Sequence, residues 1–151
     1  METPEQILDL ARQRAVQLGL PYAGALTPGE AATLLRAEPG AKLVDVRTRA
    51  EWEWVGRVPG AVLLEWNGWP GGTRNPDFER ELQAKVPDKT QPVLFLCRSG
   101  ARSHHAAIAA AQLGYARALN VLEGFEGNRD ADGHRSSVGG WKFAGLPWVQ
   151  S

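Results

Sequence analysis

The chain has 151 residues, of which 43% are hydrophobic and 23% charged, the size and composition of one ordinary globular domain with a real core. Its 17 basic and 17 acidic residues balance, so no overall charge favours nucleic acid as a partner, and no apolar run approaches the roughly 20 residues that span a membrane. One cysteine excludes an internal disulfide, and with the polar start Met1-Glu2-Thr3-Pro4 it favours a reducing, cytoplasmic location.

The first elements in the chain are two helices with clear start signals. Thr3-Pro4-Glu5-Gln6 and Thr27-Pro28-Gly29-Glu30 each place threonine at the cap, proline at the first helical position, and Gln or Glu where a capping box requires it. The first pattern predicts a helix over about 3–19, and the second predicts one that ends near Glu38. A further helix is expected from Asn75-Pro76 to the turn before Pro87.

Short apolar runs between turn residues predict the strands, namely Leu43–Val46, Ala61–Leu64, Val93–Leu96 and Ala118–Leu122. Uninterrupted apolar runs are typical of strands that are buried on both faces of a parallel sheet. A long helix, about Ala101 to Leu113, lies between the last two runs. Because strands alternate with helices and no linker interrupts them, the pattern predicts one α/β domain over 1–151.

The glycine-rich, polar stretch 124–140 shows no helical or strand period. We predict that it forms a long surface loop, inserted before a short closing segment from Trp141 to Trp148.

The chemistry concentrates in the segment that follows the third predicted strand. This strand delivers Cys97 to its carboxyl end, where open α/β sheets bind ligands. Amides of the following turn and the N-terminus of the next helix converge on the sulfur, and Arg98 and Arg102 add positive charge. These effects favour a thiolate, so Cys97 is predicted to be a nucleophile. A lone cysteine is more often a core residue, but the Arg-Ser-Gly that follows it favours chemistry here.

Three motifs stand in order along the chain. They are Asp45-Val46-Arg47 with Glu51-Trp52 and Gly56-Arg57-Val58-Pro59-Gly60-Ala61, then Cys97-Arg98-Ser99-Gly100-Ala101-Arg102-Ser103, and finally Gly145-Leu146-Pro147. Together they resemble a rhodanese domain along nearly the whole chain. The resemblance implies a single rhodanese-like α/β domain, a small parallel β-sheet flanked by helices on both faces, with Cys97 at the base of a shallow pocket.

The same resemblance implies a sulfurtransferase of the thiosulfate type. Cys97 would take the sulfane sulfur of thiosulfate or a persulfide donor, and cyanide or a thiol would remove it from the resulting persulfide. Arg98 and Arg102 are expected to bind the oxyanion of the donor. The expected substrate-binding cradle comprises Arg98, Ser99, Gly100, Ala101, Arg102 and Ser103. No metal or organic cofactor is expected, and a sulfur-relay protein is a candidate partner.

Residues outside the cysteine loop receive structural assignments. We expect Asp45 to accept loop N–H groups and Arg47 to pair with Glu51. Arg57 stands where many rhodanese domains have histidine, and it adds positive charge if it faces the pocket. Trp52, Trp54 and Trp141 are expected to cover the edge of the core. Three residues are left open between the pocket mouth and the core edge, namely Trp66, Trp69 and Arg74.

Two other functions stay open. Tyrosine phosphatases and arsenate reductases also hold a cysteine in a backbone anion cradle. Their phosphatase-type loop is longer by one residue than the stretch from Cys97 to Arg102, and the smaller loop suits sulfur better than phosphate. A rhodanese fold can also serve as a non-catalytic binding module, or as a carrier that another protein feeds with sulfur.

Overall fold

The structure, a computed structural model, describes residues 2–150. In chain order the elements within that range are α1 (Pro4–Leu18), β1 (Gly24–Leu26), α2 (Pro28–Ala37), β2 (Lys42–Asp45), α3 (Arg49–Trp54), β3 (Val62–Leu63), α4 (Phe78–Lys85), β4 (Val93–Leu96), α5 (Ala101–Gln112) and β5 (Ala118–Val121). None of these helices is long and apolar enough to cross a membrane.

The strands form one parallel sheet in the order β1-β5-β4-β2-β3. Strand β4 therefore lies at the centre of the sheet, between β5 and β2. Because all strands point the same way, their carboxyl ends meet at one edge, and Cys97 directly follows β4 at that edge.

Helices cover both faces of the sheet, as predicted. Alternate residues of a strand point to opposite faces. On one face, Val93 and Phe95 pack in a cluster with Phe78 of α4 and the alanines of α5. On the other face, Leu94 and Leu96 pack with apolar residues of α1 and α2, among them Ile7, Ala11 and Leu34. The chain thus has the predicted α/β architecture with its core in two layers.

The helix starts follow the capping signals. Both predicted boxes are present, with the threonine side chain accepting from the third helical amide and the Gln6 or Glu30 side chain accepting from the cap amide. A third box, Thr48 with Glu51, opens α3, which the sequence analysis did not predict. Helix α4 begins later than expected, at Phe78, because Asn75 Oδ1 accepts the amide of Asp77 and forms a turn before the helix.

The two edge strands depart most from expectation. The predicted buried strand 61–64 is wrong in extent, because β3 is Val62–Leu63 and only partly buried at the sheet edge. Strand β1 was not predicted, and it is short and begins with a glycine. A Cβ at Gly24 would lie 2.7 Å from the Ala11 carbonyl carbon, so glycine here lets α1 approach the sheet.

Candidate functional site

The sulfur of Cys97 lies in the turn between β4 and α5, and this residue is 1% exposed. The Gly100 amide donates to Sγ over 3.1 Å. Gly100 has a φ of +110°, a value that favours glycine, and it is the N-cap of α5. Ser99 lies in the same turn and is half-buried, whereas Ala101 is the first residue of α5 and is exposed. Of the amides expected to form the cradle, that of Gly100 contacts the sulfur, at the N-terminus of α5.

A second polar contact with the sulfur comes from helix α5, and it is linked to the neighbouring strand β5. The Ser103 hydroxyl oxygen lies 3.3 Å from Sγ and 2.6 Å from Asn120 Oδ1. Asn120 Nδ2 donates to the Gly100 carbonyl over 3.3 Å, so Asn120 connects both sides of the turn. Asn120 was missed in the sequence analysis. Its signal was a polar residue in the middle of an apolar strand, in register with Phe95 of the cysteine strand.

The polar network continues to α5 through Tyr22. The Tyr22 hydroxyl lies 2.7 Å from His104 Nδ1, and the two rings meet edge to face. Burial raises the pKa of Tyr22, and hydrogen bonding with Asn120 opposes this rise. His104 is only partly buried, so the network connects the neighbourhood of the sulfur with the surface of α5.

Arg102 makes a bidentate ion pair with Glu51 of α3, at 2.7 and 3.0 Å. Burial would lower the pKa of Arg102, but the hydrogen bonds and charge of Glu51 raise it above its ordinary value. Burial would raise the pKa of Glu51, but Arg102 lowers it below its ordinary value. The positive charge of Arg102 is therefore held in place beside the cysteine turn.

The predicted pair between Arg47 and Glu51 is wrong. Arg47 pairs with Asp45 over 2.7 Å, and both side chains are 0% exposed. Asp45 also accepts the Arg47 amide over 3.0 Å, which confirms its predicted role as an acceptor of loop N–H groups. Arg47 points inward at the end of β2, whereas Glu51 lies on α3 and faces α5.

A cavity of about 950 Å³ opens beside the site, a volume typical of pockets for drug-sized ligands. Arg98, Arg102 and Glu51 line it, whereas Cys97 and Arg57 are not among its described lining residues. Trp54 and Trp69 also line it and are 78% and 73% exposed, so the expectation that Trp54 covers the core is wrong.

Of the two other residues left open, Trp66 packs at the core edge and Arg74 lies over its ring. The Trp66 ring meets Phe78 edge to face at a centroid distance of 4.9 Å. The Arg74 guanidinium lies over the Trp66 ring, 4.3 Å from its centroid. Trp141 is buried, which confirms its predicted position.

Stretch 124–140 contains no helix or strand, and its middle, residues 128–134, is largely exposed, but its two ends are buried. The Phe125 amide donates to the Cys97 carbonyl over 2.8 Å, and the Glu126 amide donates to the Arg98 carbonyl over 3.0 Å. Two further bonds, Trp141 amide to Gly124 carbonyl and Lys142 amide to Phe125 carbonyl, join the two ends of the stretch. The inserted stretch is thus fastened to the backbone of the cysteine turn.

Arg135, inside the same stretch, is a cation that the sequence analysis did not assign to the site. Its guanidinium donates to the Gly127 carbonyl over 2.8 Å. Partial burial lowers the pKa of Arg135, and the positive charge of Arg98 adds to this lowering. The insertion therefore adds positive charge near Arg98.

Comparison with known proteins gives consistent results. Residues 27–131 match the family model described as a rhodanese-like domain. The chain is 38% identical over 122 residues to protein RC0915 of Rickettsia conorii, across 76% of this chain and 88% of that protein. The crystal structure of Rv0390 from M. tuberculosis is 46% identical, with a TM-score of 0.80 over 86% of this chain and 99% of that chain. The polysulfide-sulfur transferase homodimer of Wolinella succinogenes is 22% identical, with a TM-score of 0.60 over 91% and 87% of the two chains, a likeness of fold alone.

Proposed function

Since the chain belongs to the rhodanese-like domain family, we propose that it transfers sulfane sulfur through a persulfide on Cys97. The observation that carries this proposal is the short turn in which the Gly100 amide, the N-terminus of α5 and the Ser103 hydroxyl surround the sulfur. Such a cradle stabilises negative charge on sulfur, first as thiolate and then as persulfide.

The proposed reaction has two displacement steps. The Cys97 thiolate attacks the sulfane sulfur of thiosulfate or of a persulfide donor, an Sγ–S bond forms, and the donor's S–S bond breaks. The leaving group, sulfite or a thiolate, takes the electron pair of that bond. An acceptor thiolate or cyanide then attacks the outer sulfur, and the Cys97 thiolate is regenerated. No net oxidation or reduction of the protein occurs over the two steps.

The two arginines of the turn have different parts in this proposal. Arg98 is exposed and lines the cavity, so it is placed to bind the oxyanion of an incoming donor. Arg102 is held by Glu51, and it supplies a positive charge at a fixed position beside the sulfur. We therefore expect Arg98→Ala to raise the KM for an anionic donor more than it lowers kcat.

The setting of the reaction is part of the proposal. A lone thiol that must return to the reduced state after each turnover suits the cytoplasm. The wide cavity leaves room for a small thiol as acceptor, or for a residue of a sulfur-relay protein.

The experiment is intact mass spectrometry after incubation with thiosulfate, or with the persulfide of a small thiol, in wild type and Cys97→Ser. We expect the wild type to gain the mass of one sulfur atom and to release thiocyanate when cyanide is added, and the variant to do neither. Loading by the persulfide but not by thiosulfate would remove thiosulfate from the proposal. A folded wild type that accepts sulfur from neither donor would refute the enzyme and favour a binding module or protein-fed carrier.

A further inference from the structure

The Ser103 hydroxyl has one proton and two neighbours that can accept it. Ser103 is 0% exposed, and its oxygen lies 2.6 Å from Asn120 Oδ1 and 3.3 Å from Cys97 Sγ. The orientation of the Asn120 amide follows from its contact with the Gly100 carbonyl, which can only accept and must face Nδ2. Oδ1 then faces Ser103 and accepts the hydrogen bond of its hydroxyl.

This arrangement suits a neutral thiol but conflicts with a thiolate. When the Ser103 hydroxyl donates its hydrogen bond to Asn120, a lone pair of its oxygen faces Sγ and can accept from the S–H of Cys97. A thiolate has no proton to donate and requires the hydroxyl proton for itself. For this to happen, the Ser103 O–H bond must rotate from Asn120 towards Sγ, and Oδ1 then loses that hydrogen-bond donor.

We infer that Ser103 and Asn120 form a hydrogen-bond switch, in which Asn120 Oδ1 and the sulfur of Cys97 compete as acceptors for the hydrogen bond of the Ser103 hydroxyl. Asn120 is then a positioning residue that acts on the sulfur through Ser103. This inference rests on the proposed function only for its use in turnover, because the competition for the proton exists in the free protein.

In turnover the switch follows the negative charge. When Cys97 attacks as a thiolate, the charge is on Sγ, and Ser103 donates to it. After sulfur transfer the charge lies on the outer sulfur, and Sγ becomes a neutral disulfide-like atom. The Ser103 hydroxyl then donates its hydrogen bond to Asn120 again. Discharge to the acceptor restores the first arrangement. The competition by Asn120 therefore lowers the cost of moving charge off Sγ.

The other titratable groups near the sulfur are retained in the variants that test this inference. On the described elements packed around the site these groups are Asp45 and Arg47 at the end of β2, Glu51 on α3, Arg98 in the turn, Arg102 and His104 on α5, and Tyr22 before β1. These groups are present in wild type and variants alike. Because Tyr22 also hydrogen-bonds with Asn120, both Asn120 variants change that contact, and the opposite signs of their shifts therefore report on the switch.

The test is the pH midpoint of thiolate formation in the sulfur-free protein, measured by the ultraviolet absorbance of the thiolate. Ser103→Ala removes the donor and should raise the midpoint. Asn120→Leu keeps the side-chain shape, frees the Ser103 proton for sulfur, and should lower the midpoint. Each shift should be about one pH unit, since hydrogen bonds to charged groups change such equilibria by about tenfold. The double variant should match Ser103→Ala alone.

Two further variants make the result decisive. Asn120→Asp retains an acceptor for Ser103 and should raise the midpoint, opposite to Asn120→Leu. Asn128→Leu repeats the substitution at an exposed position of the insertion and should leave the midpoint unchanged. Shifts of the same sign in both Asn120 variants, or an additive double variant, would overturn the inference. Correct midpoint shifts without sulfur loading would refute the proposed function and leave the switch intact.

Discussion

Replacing Gly124 with alanine is the sharpest test of how the inserted stretch is fastened to the cysteine turn. Gly124 has a φ of +64°, and alanine in the left-handed region costs about 1–2 kcal/mol. A Cβ at this position would also lie 2.5 Å from the Arg98 carbonyl carbon and 2.6 Å from the Cys97 carbonyl oxygen. These are backbone atoms, so the two segments must separate by about 1 Å to restore ordinary contact distances.

That separation breaks the amide bonds of Phe125 and Glu126 to the turn carbonyls. Each bond contributes about 1 kcal/mol, so Gly124→Ala should lower the free energy of unfolding by about 3–4 kcal/mol in total. Displacing the Cys97 backbone should also move its sulfur and slow persulfide formation by about 100-fold, since a misplacement of about 1 Å can have effects of that size. Urea unfolding and the rate of sulfur loading measure the two effects.

Gly133→Ala is the matched control. Gly133 has a φ of +81° in the same stretch, and a Cβ there would meet nothing within 4 Å. This variant should lose only the cost of alanine in the left-handed region, about 1–2 kcal/mol of unfolding free energy, and keep the wild-type loading rate. The reasoning is refuted if both variants lose equal stability, or if Gly124→Ala is destabilised without a loss of loading rate.

Three further predictions follow from the ion pairs and the cavity. Glu51→Gln should lose about 1–2 kcal/mol of unfolding free energy at neutral pH, because its carboxylate binds Arg102 with side chains only 19% and 22% exposed. The folded-state pKa of Glu51 lies below its ordinary value of 4.5. The stability difference between wild type and this variant is therefore full above pH 4.5 and is lost as the pH falls through the folded pKa. Urea midpoints that differ by the same amount at all pH values would contradict this. Asp45→Asn should cost about 3–5 kcal/mol in urea unfolding, because it leaves the buried Arg47 charge without its partner, and Asp45→Asn/Arg47→Met should recover part of the loss. Trp69→Ala should change the free energy of unfolding by less than about 0.5 kcal/mol, because Trp69 is exposed. It should raise the KM for a bulky thiol acceptor severalfold more than the KM for thiosulfate, because Trp69 lines the cavity. Equal effects on both KM values would show that Trp69 does not contact the acceptor.

The local parts of the fold could be read from the sequence because their signals lie within a few residues of one another. The capping boxes at Thr3 and Thr27 and the passage from β4 through Cys97 to α5 are of this kind. The same signal at Thr48 was readable as Thr-x-x-Glu and was overlooked, which left α3 unpredicted. Strand β1 carried no such signal, since it is three residues long and starts with Gly24.

Contacts between distant residues could not be read in this way. Arg102 and Glu51 are 51 residues apart, and their pairing depends on α3 and α5 meeting beside the carboxyl edge of the sheet. The link from Asn120 to Ser103 requires β5 to lie beside β4, and the strand order is not written in any local pattern. Arg47 had two carboxylates within reach along the chain, and only the direction of its side chain at the end of β2 selects Asp45.

The paired ends of the inserted stretch make it a natural point for carrying extra sequence. Gly127 and Gly140 bring their backbones so close that a Cβ on Gly140 would lie 2.5 Å from the Gly127 amide nitrogen. A segment whose two ends already touch can be lengthened with little additional loop-closure entropy, and exposed loop tips tolerate insertion best. An epitope, a fluorophore-binding peptide or a whole small domain placed between residues 130 and 134 would therefore be tethered to the cysteine turn without interrupting the bonds that hold it.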